Sequence, residues 1–187
     1  MKKIIFVLAL LFIPLMHCFA DDGLNINYDS DKGKFTIPFG NSYNYSDIMV
    51  TRAVDGDTLI LDNGERVRLI GIDTPEMHVS NKLYKDSRKS GEDISTIQKL
   101  GRRSYEFTKK LVEGKRVSLE FDVEKRDKYG RLLAYAYLKD GTFVNAEIVK
   151  QGYASLMSIP PNVKYADTFL RLYREARENN RGLWGGG

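Results

Sequence analysis

Three short β-strands, a helix, two more strands and two closing helices: this order predicts an α+β fold, a five-stranded OB-fold β-barrel with three helices. Two observations carry the prediction. β-rich runs bounded by turn residues follow one another from Ser46, two of them joined by Asn63-Gly64, a strong hairpin signal. A single helical stripe then interrupts the strands after the third, and only two strands follow it.

The elements run in order. "DIMVTRAV" reads as a strand stopped by Asp55-Gly56; "DTLILD" and "ERVRLIGI" complete a meander. Residues 77–94 are polar and read as a long loop. Ser95 with Gln98 predicts a capping box, and Ile97, Leu100, Ser104, Phe107 and Leu111 form the core-facing stripe of a helix that Gly114 stops. "RVSLEFDV" alternates apolar and polar residues as a half-buried strand does. "KRDKYGR" is a charged turn before the fifth strand, "LLAYAYLKDG". A short helix, "NAEIVKQ", runs to Gly152, and "IPPN" breaks the chain. The last helix begins near Tyr165, carries Tyr165, Phe169, Leu172 and Ala176 on one face and ends near Asn180, with Trp184 as a tail anchor.

Residues 1–20 stand apart. A basic "MKK" precedes the apolar "IIFVLALLFIPL", and Cys18 and Ala20 occupy the −3 and −1 positions of a cleavage site. This is the pattern of a secretory signal peptide, shorter than a membrane span. Lipidation at Cys18 and a retained anchor are the alternatives. Residues 21–45 read as a partly ordered N-terminal extension in which only "KFTIPF" resembles a strand; 46–184 form the barrel domain and 185–187 a tail. The expected location is secreted or extracytoplasmic, the cell envelope or periplasm included.

Composition narrows the chemistry. Cleavage after Ala20 removes the one cysteine and His17, leaving His78 alone. A disulfide, a Cys/His zinc site and a histidine base–acid pair are thereby excluded, and any metal would be a hard cation held by oxygen. The formal charge of +4 falls to +2 without Lys2 and Lys3, too little for binding nucleic acid through bulk charge.

Polar residues gather at strand ends. "VDGDT" holds Asp55 and Asp57; "RLIGIDTPE" holds Arg68, Asp73, Thr74 and Glu76; "DKYGR" holds Asp127, Lys128, Tyr129 and Arg131. Singly, the first is a hairpin turn and the third a solvated loop tip. An arginine inside an apolar strand is different, because a buried guanidinium needs an anion. Arg68 and Asp73 have opposite parity along a straight strand, so the chain must bulge or bend between them if both face one site; Gly71 permits it. Should the clusters meet at one rim, Asp57, Asp73 and a carbonyl near Thr74 make an oxygen-rich cation site, Arg68 and Arg131 fork onto a phosphate, and Glu76 handles a water. The loop after "QGYA" suggests only an irregular wall.

Together "VDGDT", "RLIGIDTPE", "DKYGRLLAY" and "VNAEIVKQGYA" resemble the staphylococcal nuclease (thermonuclease) family, from about Ile48 to Trp184. The resemblance implies a Ca²⁺-dependent nuclease cleaving DNA and RNA with little sequence preference and leaving 3′-phosphate ends. It implies Asp57 and Asp73 as calcium carboxylates, the Thr74 carbonyl as a third ligand, Arg68 and Arg131 as catalytic arginines and Glu76 as the general base. Lys128 and Tyr129 resemble the nucleotide-contacting part of the substrate pocket. The expected enzyme is a monomer with no stable protein partner. One departure is that "SLMSIPPN" lacks the aromatic residues that line the nucleotide pocket in the family, which predicts a weaker grip on the base. Lys82, Lys85, Arg88 and Lys89 are expected to track the nucleic-acid backbone. The alternative is a catalytically silent OB-fold nucleic-acid-binding module.

Overall fold

The computed structural model describes residues 27–29, 34–36 and 44–185; the segment read as a signal peptide, and most of the extension, lie outside them. Strands β1 (Asn27–Asp29) and β2 (Lys34–Thr36) pair antiparallel. From Asn44 onward the chain forms its own compact unit.

Five strands of that unit close a barrel: β3 (Ile48–Ala53), β4 (Thr58–Leu61), β5 (Arg66–Leu69), β8 (Leu132–Leu138) and β7 (Arg116–Glu120), in that order around it. The first three are the predicted meander, antiparallel throughout, with Gly64 at φ 81° in the Asn-Gly turn. β5 meets β8 in parallel, and β7 closes the ring by pairing antiparallel with both β8 and β3. Alternation puts Val50, Leu59, Leu61, Val67, Leu69, Val117, Ala134 and Ala136 inside, where they are buried. The five-stranded barrel is the fold the element order predicted.

Four α-helices accompany it among the described residues, not three. The run 77–94 is not a continuous loop: α1 spans Asn81–Ser90. Ser80 caps it by accepting a hydrogen bond from the Leu83 N–H, Gly91 ends it at φ 77°, and Leu83 is its one buried residue. α2 spans Ile94–Val112, and its cap is Asp93 rather than Ser95; the Asp93 carboxylate accepts from Thr96 N. Gln98 donates instead to the Met77 carbonyl.

The buried face of α2 is also rotated from the predicted stripe. Ile97, Gly101, Ser104, Thr108 and Val112 are buried, whereas Leu100, Phe107 and Leu111 are half-buried. Small residues lie underneath because the helix packs directly on backbone: Ser104 donates to the Tyr153 carbonyl and Thr108 to the Gly56 carbonyl. A Cβ on Gly101 would lie 2.6 Å from the Glu76 carbonyl carbon, and one on Gly56 would lie 2.6 Å from the Thr74 methyl. The helix thus holds both turns that carry acidic site residues.

β6 (Gly71–Asp73) and β9 (Ser155–Met157) form a small antiparallel sheet, so the segment after "QGYA" is in part a strand, not an irregular wall. α3 (Val144–Lys150) and α4 (Ala166–Glu178) pack on one another. A second core gathers Ile70, Tyr135 and Phe169 with Phe143 and Tyr165. Trp184, in a final 3₁₀ turn (Gly182–Trp184), packs edge-on against Tyr173 as the tail anchor.

Candidate active site

The "RLIGID" run resolves the parity problem by breaking. β5 ends at Leu69, Gly71 takes φ 82°, and the chain leaves the barrel to pair with β9. The break is pinned from two sides: Ile70 N donates to the Ala134 carbonyl, and the buried Asn145 amide donates to the Ile70 carbonyl. Gly71 is required by contact as well as by φ, since a Cβ there would lie 2.4 Å from the Phe169 ring. The result brings Arg68 and Asp73 to one side, with Nη2 3.0 Å from Asp73 Oδ1.

The other end of the guanidinium holds Asp57, whose Oδ2 lies 2.9 Å from Arg68 Nη1. Asp57 is buried at the β3–β4 turn, and the same Oδ2 accepts from the Thr74 backbone N–H and hydroxyl at 2.9 and 3.1 Å. One guanidinium therefore bridges two carboxylates, one from a turn and one from a strand. Asp55 supports the turn by accepting from Asp57 N; burial, and then the neighbouring Asp57 charge, push its carboxyl up to about 7.

Lys82, in the first turn of α1, lies inward. Its Nζ is 3.3 Å from Asp73 Oδ2, 3.2 Å from Glu76 Oε1, 3.4 Å from Asp86 Oδ2 and 3.2 Å from the Thr74 carbonyl oxygen. Burial works against the ammonium, but the Asp73, Glu76 and Asp86 charges outweigh it and lift Lys82 above the ordinary lysine value. Burial raises the Asp73 carboxyl above its usual range against the pull of Lys82 and Arg68. Glu76 is held by Lys82 and by the Ser80 hydroxyl.

Arg131, at the foot of β8, is drawn onto Asp127: its Nε and Nη2 both lie 2.7 Å from Asp127 Oδ2. Asp127 also accepts from the Tyr129 and Arg131 backbone N–H groups, so the "DKYGR" turn is a built structure rather than a loose tip. Arg68, Arg131, Lys128 and Tyr129 line one cavity of about 370 Å³, together with Met157 and Ile159. Tyr129 is exposed, with Lys128 Nζ 5.1 Å from its ring centroid. Met157 approaches the arginine itself, its sulfur 3.9 Å from Arg68 Nη2.

Arg68 thus joins two groups of predicted residues. On one side stand Asp57, Asp73 and Thr74, with Glu76 linked through Lys82; on the other is the cavity shared with Arg131, Lys128 and Tyr129. Glu76 does not line that cavity. Among the described residues no three His, Cys, Asp or Glu side chains gather as a metal cluster. A metal would need a main-chain oxygen besides carboxylates, and the Asp73 carboxylate and Thr74 carbonyl do converge on one cation, the Lys82 ammonium. Residue patterns put Lys82 on the nucleic-acid backbone, whereas its ammonium is held by Asp73, Glu76 and Asp86; they named Asp127 without its hold on Arg131, and they missed Gly101. Ser80 and Gly91 bracketing a run with a leucine in its first turn would have revealed α1, and with it the i,i+4 pair Lys82–Asp86.

Comparison with known proteins places the chain in a family. Residues 66–186 match the family model described as staphylococcal nuclease homologue. The chain is 37% identical to a thermonuclease of Staphylococcus intermedius over 98% of this chain and 99% of the relative. It is 30% identical to the thermonuclease of Staphylococcus hyicus, covering 86% and 89% of the two chains. It is 35% identical to the endonuclease YncB of Bacillus subtilis (strain 168), covering 84% and 71%. The chain belongs to the staphylococcal nuclease family.

Proposed function

We propose that this protein is an exported, calcium-dependent nuclease that hydrolyses DNA and RNA with low sequence preference and leaves 3′-phosphate ends. Its family and its thermonuclease and endonuclease relatives make it a phosphodiester hydrolase. The observation that carries the finer reading is the placement of Arg68, which spans Asp57 and Asp73 while also lining the cavity with Arg131. The export reading rests on the basic and apolar pattern of residues 1–20.

Asp57, Asp73 and the Thr74 carbonyl would hold the ion. Two carboxylates and a carbonyl suit a hard cation, and two of the three oxygens already face one positive charge. When bound, Ca²⁺ supplies electrostatic stabilisation to a phosphate oxygen. The chain's own residues do the rest. Arg68 and Arg131 donate paired hydrogen bonds to the phosphate as charge builds on its oxygens, and neither gives up a proton. Glu76 orients a water and takes its proton. The water oxygen bonds to phosphorus, the bond from phosphorus to the 5′-oxygen breaks, and the departing oxygen is protonated from solvent. The products are a 3′-phosphate and a 5′-hydroxyl. Lys128 and Tyr129 hold the adjoining nucleotide.

The test is cleavage of single- and double-stranded DNA and RNA by the purified chain, with Ca²⁺ and with chelator, followed by analysis of product ends. All four substrates should be cut with Ca²⁺ alone, yielding 3′-phosphates. Binding without cleavage would identify a silent module, and 5′-phosphate ends would exclude this chemistry. Arg68→Ala, Glu76→Ala and Arg131→Ala should each lower the rate by roughly 10²-fold or more.

A further inference from the structure

The Lys82 ammonium holds two of the three groups proposed to bind the ion, the Asp73 carboxylate and the Thr74 carbonyl. Its nitrogen lies 3.2–3.4 Å from four oxygens: Asp73 Oδ2, the Thr74 carbonyl, Glu76 Oε1 and Asp86 Oδ2. The first two belong to the proposed ligand set. Calcium bonds oxygen at about 2.3–2.6 Å, so it would need the same lone pairs from closer in. An ammonium and a dication sharing those oxygens in a half-buried site also repel strongly.

From this we infer that Lys82 is an internal counter-ion that sets the calcium affinity of the site: it neutralises the carboxylates when no ion is bound and must swing out when one binds. The inference rests on the calcium reading above and deepens it. The parts suit such an exchange. The side chain is 34% exposed and sits on a long flexible stem at the start of α1, so a path to solvent exists. Asp86, one turn along the same helix and 38% exposed, remains an anchor on the solvent side of the lysine's arc. Removing the ammonium leaves Asp73 and Glu76 without their nearest shared charge, which favours a dication and disfavours the ion-free fold. Lys82 thereby raises the calcium concentration at which the enzyme becomes active.

Two measurements test this. Calcium binding to the chelator-stripped full chain is measured calorimetrically for wild type, Lys82→Met, Lys82→Arg and, as a control on the exposed face of the same helix, Lys85→Met. Lys82→Met should bind Ca²⁺ roughly tenfold or more tightly, since a like charge is removed from the ligand oxygens. Lys82→Arg and Lys85→Met should stay near wild type. Lys82→Met should also show the larger gain in thermal stability on adding Ca²⁺. The second measurement needs no variant: lysines of the wild-type protein are acetylated with and without saturating Ca²⁺ and mapped by mass spectrometry. Lys82 should be protected without the ion and modified with it. Equal binding by wild type and Lys82→Met, or weaker binding by the variant, overturns the proposal and leaves the calcium reading standing; so does Lys82 reactivity that ignores Ca²⁺. No calcium binding by either protein overturns both. Binding by Lys82→Met alone supports both.

Discussion

Gly101→Ala is a small change with a calculable consequence. Gly101 lies on the buried face of α2, and a Cβ there would meet the Glu76 carbonyl carbon at 2.6 Å and both the Glu76 oxygen and Met77 nitrogen at 2.7 Å. All three are backbone atoms, so no side chain can rotate away. Moving from 2.6 Å to the 3.4 Å at which ordinary contact begins displaces the Glu76 backbone by about 0.8 Å. A shift of about 1 Å in a positioned group can lower a rate by roughly 10²-fold, so a 10- to 100-fold fall in kcat is expected, with KM little changed. Two stability effects oppose one another. Overpacking costs about 1–3 kcal/mol, and replacing a helical glycine by alanine returns about 1 kcal/mol. The net loss should be at most about 2 kcal/mol, and the variant should fold.

The assays are steady-state cleavage of a defined oligonucleotide and urea unfolding, repeated in a Glu76→Ala background. If the rate loss acts through Glu76, Gly101→Ala should add little once the carboxylate is gone, and the double-mutant cycle should show coupling. A Gly101→Ala enzyme with wild-type kcat and raised stability would refute the reasoning, because helix propensity would then be the only effect left. A loss that persists undiminished without Glu76 would place the damage elsewhere.

Three further outcomes are expected. Replacing the exposed Lys85, Arg88 and Lys89 of α1 by glutamine should reduce the slope of log K for duplex DNA against log salt by about 2–3, and an unchanged slope would remove α1 from the interface; Lys82 is left out because its ammonium lies inward. Met157→Tyr should strengthen binding of single-stranded substrate by up to about 1–3 kcal/mol, read as a lower KM or Kd, if the base reaches the part of the cavity lined by Met157; no change would mean that it does not. Burial works against the Glu120 charge, but hydrogen bonds from Lys164, Tyr165 and Tyr137 outweigh it and hold the carboxyl below its usual range. A depressed folded value gives stability that is present above the unfolded pKa and lost as pH falls through the folded one. Glu120→Gln should therefore cost about 1 kcal/mol at neutral pH, discounted for the exposed Lys164, and urea midpoints should converge with wild type below about pH 4; a gap that persists in acid would contradict the sign.

What could be read from the sequence was whatever depends on local chemistry. Asn63-Gly64 carries its turn in its own backbone preferences, and the alternation in "RVSLEFDV" marks β7 as a half-buried strand. Even the opposite parity of Arg68 and Asp73 was informative, because it demanded a break that Gly71 supplies. The misplaced stripe of α2 has a different origin. A pattern search follows large apolar residues, but this helix approaches backbone, so its most buried positions include Gly101, Ser104 and Thr108. Close approach favours small residues, and a small residue leaves no apolar signal.

Lys82 is the sharper case. A lysine in a polar run reads as solvated because a lone ammonium is strongly hydrated. Its inward position depends on Ser80 capping α1 two residues before it and on Leu83 anchoring that first turn to the core. Neither tells where Asp73, Glu76 and the Thr74 carbonyl lie in space. Those oxygens come from a strand end and a loop that converge only because Gly71 redirects the chain and Gly101 admits the Glu76 backbone beneath α2. Each carboxylate could be named from its motif, whereas the charge balance among them is set by the turn-and-helix geometry. Converting one buried salt link into another is how such a site would exchange its own cation for one from solution, and that exchange is open to measurement at a single side chain.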